Sequence, residues 1–193
     1  GSTSRGGMYG VSRSFFAFDT SSITANVASA TINIFGYIAG TADIIGVKAT
    51  KPDLSTNLTT ADFDAITGFS AGSSMSGNVT DYTAEVTSWN TSAYNSITLN
   101  AGALADLKNN NVFSICFVQH DNDYLNVDPL SGGDINTRAG MYFQNYTGTS
   151  RDPYIDYTLG TAGYGNTVNG VASANIAAVD GVLTANISKV NGV

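Results

Sequence analysis

From Ala28 to Ile38 the chain alternates, residue by residue, between two chemical faces. Ala30, Ile32, Ile34, Gly36 and Ile38 fall on one side, and Thr31, Asn33, Phe35 and Tyr37 on the other. A period of two sustained over this length is the pattern of a strand with one face against a core. The rest of the chain carries shorter candidate strands: Ser14–Asp19, Ile44–Ala49, Asn78–Glu85, Asn95–Leu99, Val112–Gln119, Gly140–Phe143 and Tyr154–Leu159. Turn-rich runs such as 70–74 and 131–134 separate them. Charged residues make up only 12% of the sequence, against about 25% in ordinary soluble domains. Ser, Thr, Asn and Gly stand in their place, and these supply turns and pleated surfaces rather than helix exteriors. The expected fold is all-β, an antiparallel sandwich with one or two short helical turns. The turns are expected at Thr60–Thr67, with Thr60 as cap, and at Ala101–Lys108.

After Leu159 the texture changes. Residues 160–167 read as a Gly-rich linker, and residues 168–193 as a tail with an 11-residue repeat. Val168-Asn169-Gly170-Val171 through Ala178 is echoed by Val179-Asp180-Gly181-Val182 through Lys189, and a third unit begins at Val190. One such unit cannot bury its own apolar side, so the repeat implies stacking on neighbours or on other chains. Val168, Val171, Ile176, Val179, Val182 and Ile187 are the candidate assembly residues; a repetitive solvated tail is the alternative. The chain opens without Met and stops inside its third repeat, so it is expected to be a piece of something longer.

With a net charge of −7 and Lys plus Arg numbering 8, spread thinly, the chain has no basic stripe for neutralising phosphates. Nucleic acid and anionic membrane surfaces are therefore not expected partners. No apolar run approaches the roughly 18 residues of a membrane span, so membrane insertion is not expected either. Cys116 is the sole cysteine and sits in an apolar run, where a buried, unreactive thiol is expected. His120 is the sole histidine. Four residues along a strand place it about 13 Å from Cys116, too far for a nucleophile–base pair. The chain is thus expected not to be an enzyme.

Two groups of residues could hold a ligand. Asp121, Asp123 and Asp128 crowd a polar segment of the kind that offers oxygen ligands to calcium. That segment lacks the Gly and Glu of a helix–loop–helix calcium site, having Asn126 and Gly132 at those positions. A polar loop at a strand end explains it equally well. Trp89, Tyr94, Tyr124, Tyr142 and Tyr146, with Tyr154, lie beside Asn, Asp and Thr, a combination able to stack on sugar rings and hydrogen-bond their hydroxyls. The alternative places these rings in the sandwich core with their polar tips at its edge.

Arg13-Ser14-Phe15-Phe16-Ala17-Phe18-Asp19-Thr20-Ser21-Ser22-Ile23, followed by the strand from Val27 to Ile34, resembles the opening of the DNRLRE-type domains. Val86-Thr87-Ser88-Trp89-Asn90 and the closing Arg151-Asp152-Pro153-Tyr154-Ile155-Asp156-Tyr157 are similar to later parts of that family. These are jelly-roll modules of secreted proteins, related to carbohydrate-binding modules. The resemblance implies a jelly-roll-like β-sandwich over residues 1–159. The family's first strand is missing or reduced to Ser2–Val11, which implies an open sheet edge that a neighbouring chain could fill. Its charged stretch before the closing strand is replaced by Tyr142-Phe143-Gln144-Asn145-Tyr146. The repeat resembles the tails of phage structural proteins, which implies a virion or fibre setting.

The expected function is a non-catalytic, structural and surface-exposed component of an extracellular assembly, of phage-virion type (fibre, decoration or tail-associated). The alternatives are a carbohydrate-binding module of a secreted bacterial enzyme or adhesin, or a filament subunit. The expected partners are the chain itself, other structural proteins of the assembly and surface glycans, at a virion or extracellular location. Calcium is the one cofactor the acidic segment would take.

Overall fold

The computed structural model describes residues 2–5, 8–55, 57–128, 136–160, 178–179 and 182–183. Among them the chain is mostly β, in antiparallel sheets. Strands β1 (Ser2–Arg5) and β2 (Met8–Val11) pair as a hairpin. Next come β3 (Ser14–Asp19), β4 (Val27–Ala39), β5 (Ile44–Lys48) and β6 (Tyr94–Thr98). Helix α1 (Ala101–Asn109) precedes β7 (Val112–Gln119), and β8 (Asn136–Thr137), β9 (Ala139–Met141) and β10 (Tyr154–Leu159) follow. Short strands β11 (Ala178–Val179) and β12 (Val182–Leu183) pair with each other on either side of Asp180-Gly181 in the sequence. The other assembly candidates, Val168, Val171, Ile176 and Ile187, lie outside the described residues.

Two sheets face each other across the main core. Sheet one has the order β3-β7-β5, and sheet two has β10-β4-β6 with β9 also on β4. Phe16, Ile44, Phe113, Ile115 and Phe117 from sheet one meet Ala30, Ile32, Ile34 and Ile97 from sheet two. Helix α1 closes one side of this core with Ala103 and Leu107. Its cap is Asn100, whose side chain accepts the Ala103 N–H. Lys48 Nζ lies 2.8 Å from Asp106 of α1, and the Tyr82 hydroxyl donates to the same carboxylate while its ring stacks on Phe113.

Sheet one is buried on both faces, which is why β7 reads as a continuous apolar run. Phe15, Ile45, Val47, Cys116 and Val118 point away from the main core into a second cluster with Ile66, Met75 and Tyr124. The strandless stretch from 50 to 80 and the turn His120–Tyr124 cover that cluster. Cys116 is fully buried there, and burial pushes its thiol well above the ordinary range.

Arg13 fastens this cover. Its side chain is only 4% exposed. Nε and an Nη bind the two oxygens of Asp123 at 2.9 and 2.8 Å, a bidentate pair. The other Nη reaches Asp64 at 2.7 Å and the Phe63 carbonyl at 2.9 Å. The guanidinium lies 4.3 Å from the centre of the Phe63 ring and 4.4 Å from that of Phe69. One side chain thus joins the start of β3, the excursion near residue 64 and the turn after β7.

Several expected elements differ. The expected strand Asn78–Glu85 forms one isolated bridge to β5, Asp81 with Val47, and a second, Val86 with Ile44, falls just beyond it. The Gly46 N–H donates to the Thr83 hydroxyl rather than to a ladder carbonyl, while both Tyr82 and Thr83 N–H groups bond the Gly46 carbonyl. A side chain has taken over the backbone's role there. The expected turn Thr60–Thr67 is a 3-10 turn, Thr60–Asp64, and Thr59 rather than Thr60 caps it through its N–H and hydroxyl on Asp62. Ser2–Val11, read as a missing or reduced strand, is the hairpin β1–β2, with β1 also paired to β8.

Removing Arg13 leaves the Asp123 carboxylate, 7% exposed, without its partner. Arg13→Ala is expected to lower stability by about 3–5 kcal/mol, and Arg13→Lys by less, because charge survives but the fork does not. Denaturant unfolding followed by circular dichroism measures both; a loss under about 1 kcal/mol for the alanine variant would remove Arg13 from its central place.

Candidate functional site: an aromatic strip on sheet two

The outer face of sheet two carries a row of aromatic rings. In β4, the odd positions that face away from the core include Phe35 and Tyr37. The register sets Tyr94 of β6 directly opposite Phe35, and Tyr154 of β10 opposite Asn33. The Tyr142 N–H donates to the Phe35 carbonyl at 3.0 Å, which brings the chain after β9 onto the same face. The turn that follows delivers Tyr146, its N–H bound to the Phe143 carbonyl.

These rings form one connected run. Tyr37 meets Tyr142 at 5.4 Å between centroids, Tyr142 meets Phe35 at 5.8 Å, Phe35 meets Tyr94 at 5.2 Å, and Tyr94 meets Tyr154 at 5.1 Å. Tyr146 joins at 4.5 Å from Tyr142. All are edge-to-face, an arrangement that adds roughly 0.5–1.5 kcal/mol per pair beyond area burial. Arg151 lies over Phe35, Tyr142 and Tyr146 at 5.0, 4.7 and 5.0 Å, and its Nη1 donates to the Tyr146 hydroxyl at 3.2 Å. The Tyr94 hydroxyl is within 3.1 Å of the Ser150 and Asp152 carbonyls, tying the Arg151 turn to β6. Burial raises the Tyr94 hydroxyl above the ordinary phenol range, with Tyr154 and Asp152 adding to the shift.

The strip is locked from within yet open to solvent: Tyr37 is 60% exposed, and Tyr146 and Tyr154 are each 43% exposed. A contiguous apolar surface of this kind on a sheet face is the sort that marks contact with a ligand or partner. Chemically it offers ring faces and edges, phenolic hydroxyls and a guanidinium.

The aromatic residues singled out in the sequence divide into two groups. Tyr94, Tyr142 and Tyr146 come together on the strip, with Tyr154. Trp89 and Tyr124 do not join them. Trp89 packs against the main core and its Nε1–H donates to the Gly140 carbonyl at 2.9 Å. It and Asn90 press so close on Gly36 that a Cβ there would lie 1.8 Å from the Asn90 carbonyl oxygen. Tyr124 is buried in the second cluster, its hydroxyl donating to Asp81 at 2.9 Å. Sequence reasoning missed Phe35, Tyr37 and Arg151 as site residues. The signal for the first two was present: aromatic rings at the solvent-facing positions of an alternating strand.

Asp121, Asp123 and Asp128 do not converge. Asp123 is bound to Arg13, Asp121 points to His120 at 3.2 Å, and Asp128 is exposed. Among the described residues, Asp43, Glu85 and His120 each bring a donor atom within 4.8 Å of the others, and Asp121 also lies beside the imidazole. No helix among these residues is long and apolar enough to cross a membrane. Compared with known proteins, the chain matches no family model, no curated protein and no solved structure.

Proposed function

We propose that this chain is a non-catalytic, surface-displayed recognition module of an extracellular assembly, and that the aromatic strip on sheet two contacts surface glycans. The observation that carries the reading is the strip itself: interlocked, solvent-facing rings with Arg151 among them. Rings already held in place lose little freedom when a sugar stacks on them, and the hydroxyls and guanidinium beside them suit sugar hydroxyls. The reading agrees with the resemblance to DNRLRE-type jelly rolls and their carbohydrate-binding relatives. In this account the setting is virion-type, and the repeat of residues 168–193 is the anchoring or assembling part.

A second observation supports assembly. Among the described residues β10 pairs on one side only, with β4, while Tyr157 and Leu159 on it are 41% and 52% exposed. An open, apolar edge of this kind accepts a strand from another chain.

On a glycan array the chain is expected to retain a defined set of glycans. Tyr37→Ala, which removes a single edge-to-face contact at a residue 60% exposed and leaves both core clusters intact, should weaken the best of them about tenfold, near 1.4 kcal/mol. Loss of no signal in that variant, or an array with no binding at all, contradicts the glycan reading. For assembly, light scattering should show an oligomer that becomes monomeric when residues 164–193 are deleted; a monomer in both forms contradicts it.

A further inference from the structure

At one end of sheet one, three chain segments bring together side chains that lie far apart in sequence. Asp43 immediately precedes β5, His120 immediately follows β7, and Glu85 sits beside the bridge between Val86 and Ile44. The backbone holds them there: Ile44 pairs with Gln119, His120 N–H donates to the Asp43 carbonyl at 3.0 Å, and Ile44 and Val86 exchange hydrogen bonds at 3.1 and 2.7 Å.

We propose that Asp43, Glu85 and His120 form a divalent-metal site of the zinc class, linking β5, β7 and the segment after Tyr82. The donor atoms all lie within 4.8 Å of one another. His120 Nδ1 is 3.6 Å from Asp43 Oδ1 and 3.8 Å from Glu85 Oε2. A tetrahedral zinc ion with bonds near 2.0–2.1 Å holds its donors about 3.3–3.4 Å apart, so the imidazole's two approaches would close by a few tenths of an ångström and the two carboxylates' by no more than about 1.5 Å.

The independent sign of a ligand is Asp43. The residue is 8% exposed. Its Oδ2 accepts from Gln119 Nε2, with the Asp121 N–H at 3.4 Å. Its Oδ1, turned toward His120 and Glu85, is buried and accepts no hydrogen bond. A buried carboxylate oxygen left in this way is open to a cation or a water, and this one faces an imidazole and a second carboxylate. Among the described residues, the side chains of Asp43, Glu85 and Asp121 all approach the single imidazole of His120. That leaves an excess of negative charge for a cation to neutralise.

The supporting groups match a metal site as well. Gln119 fixes the second oxygen of Asp43, as the outer partners of metal-bound carboxylates do. The His120 ring stacks on Tyr124, 5.4 Å away and 18° from parallel, which sets its orientation. Glu85, 41% exposed at its side chain, leaves an approach from solvent and room for a bound water. An imidazole among carboxylates favours zinc over calcium or magnesium, which take oxygen ligands.

The test uses the whole chain, freed of metal with a chelator, and titration calorimetry with zinc chloride. The expected result is one zinc per chain, with a thermal midpoint that rises on zinc addition and not on calcium or magnesium addition. Because His120 is the sole histidine, H120A should abolish the binding, and E85Q, at an exposed position, should weaken it at least tenfold without unfolding the protein. No binding at millimolar zinc, an equal response to calcium, or unchanged affinity in both variants would overturn the proposal.

Discussion

Arg13 carries five donors in a planar fork and uses them on Asp123, Asp64 and the Phe63 carbonyl while its flat faces lie near Phe63 and Phe69. What depends on it is the second cluster. Among the described residues the stretch from 50 to 80 carries no strand, and single backbone bonds such as Thr67 N–H to the Lys48 carbonyl and Lys48 N–H to the Thr80 carbonyl tie it to β5. The Arg13 bidentate pair and its two ring contacts add to these, together with the packing of Ile66 and Met75. With the cover in place, Phe15, Ile45, Val47, Cys116 and Val118 leave water, and sheet one becomes an interior sheet.

The functional consequence falls on sheet two. Sheet one is covered on both faces and the inner face of sheet two closes the main core, so of these two sheets it is the outer face of sheet two that is left to solvent. That is where Phe35, Tyr37, Tyr94, Tyr142, Tyr146 and Tyr154 gather. A domain seeking only solubility would place Lys, Glu or Thr at such positions. Here the aromatic rings brace one another edge-to-face and Arg151 lies across them, so the surface is rigid without being buried.

The alternation from Ala28 to Ile38 was legible because one face of β4 packs on the core and the other does not; the odd positions carried the site without declaring it. The continuous run in β7 was legible as a strand, although its cause, a second cluster beneath the 50–80 cover, was not, since Arg13, Asp64 and Asp123 meet only in three dimensions. Asn78–Glu85 misled because its Val, Thr and Tyr are strand-forming types, while the Thr83 hydroxyl, and not a ladder carbonyl, takes the Gly46 N–H. Trp89 and Tyr124 have the same polar neighbours in sequence as Tyr94 and Tyr142. Only packing separates them: Trp89 packs against the main core and Tyr124 in the second cluster, while Tyr94 and Tyr142 join the strip. The grouping of Asp43, Glu85 and His120 left no trace in spacing, because strand register assembles it.

The most direct test of the account is nuclear magnetic resonance mapping of the tyrosine and phenylalanine rings as a bound glycan is titrated in. The account predicts shifts at Tyr37, Phe35, Tyr142, Tyr146 and Tyr154, with Tyr82 and Tyr124 unmoved in their clusters. Shifts confined to some other surface, with the strip silent, would contradict it.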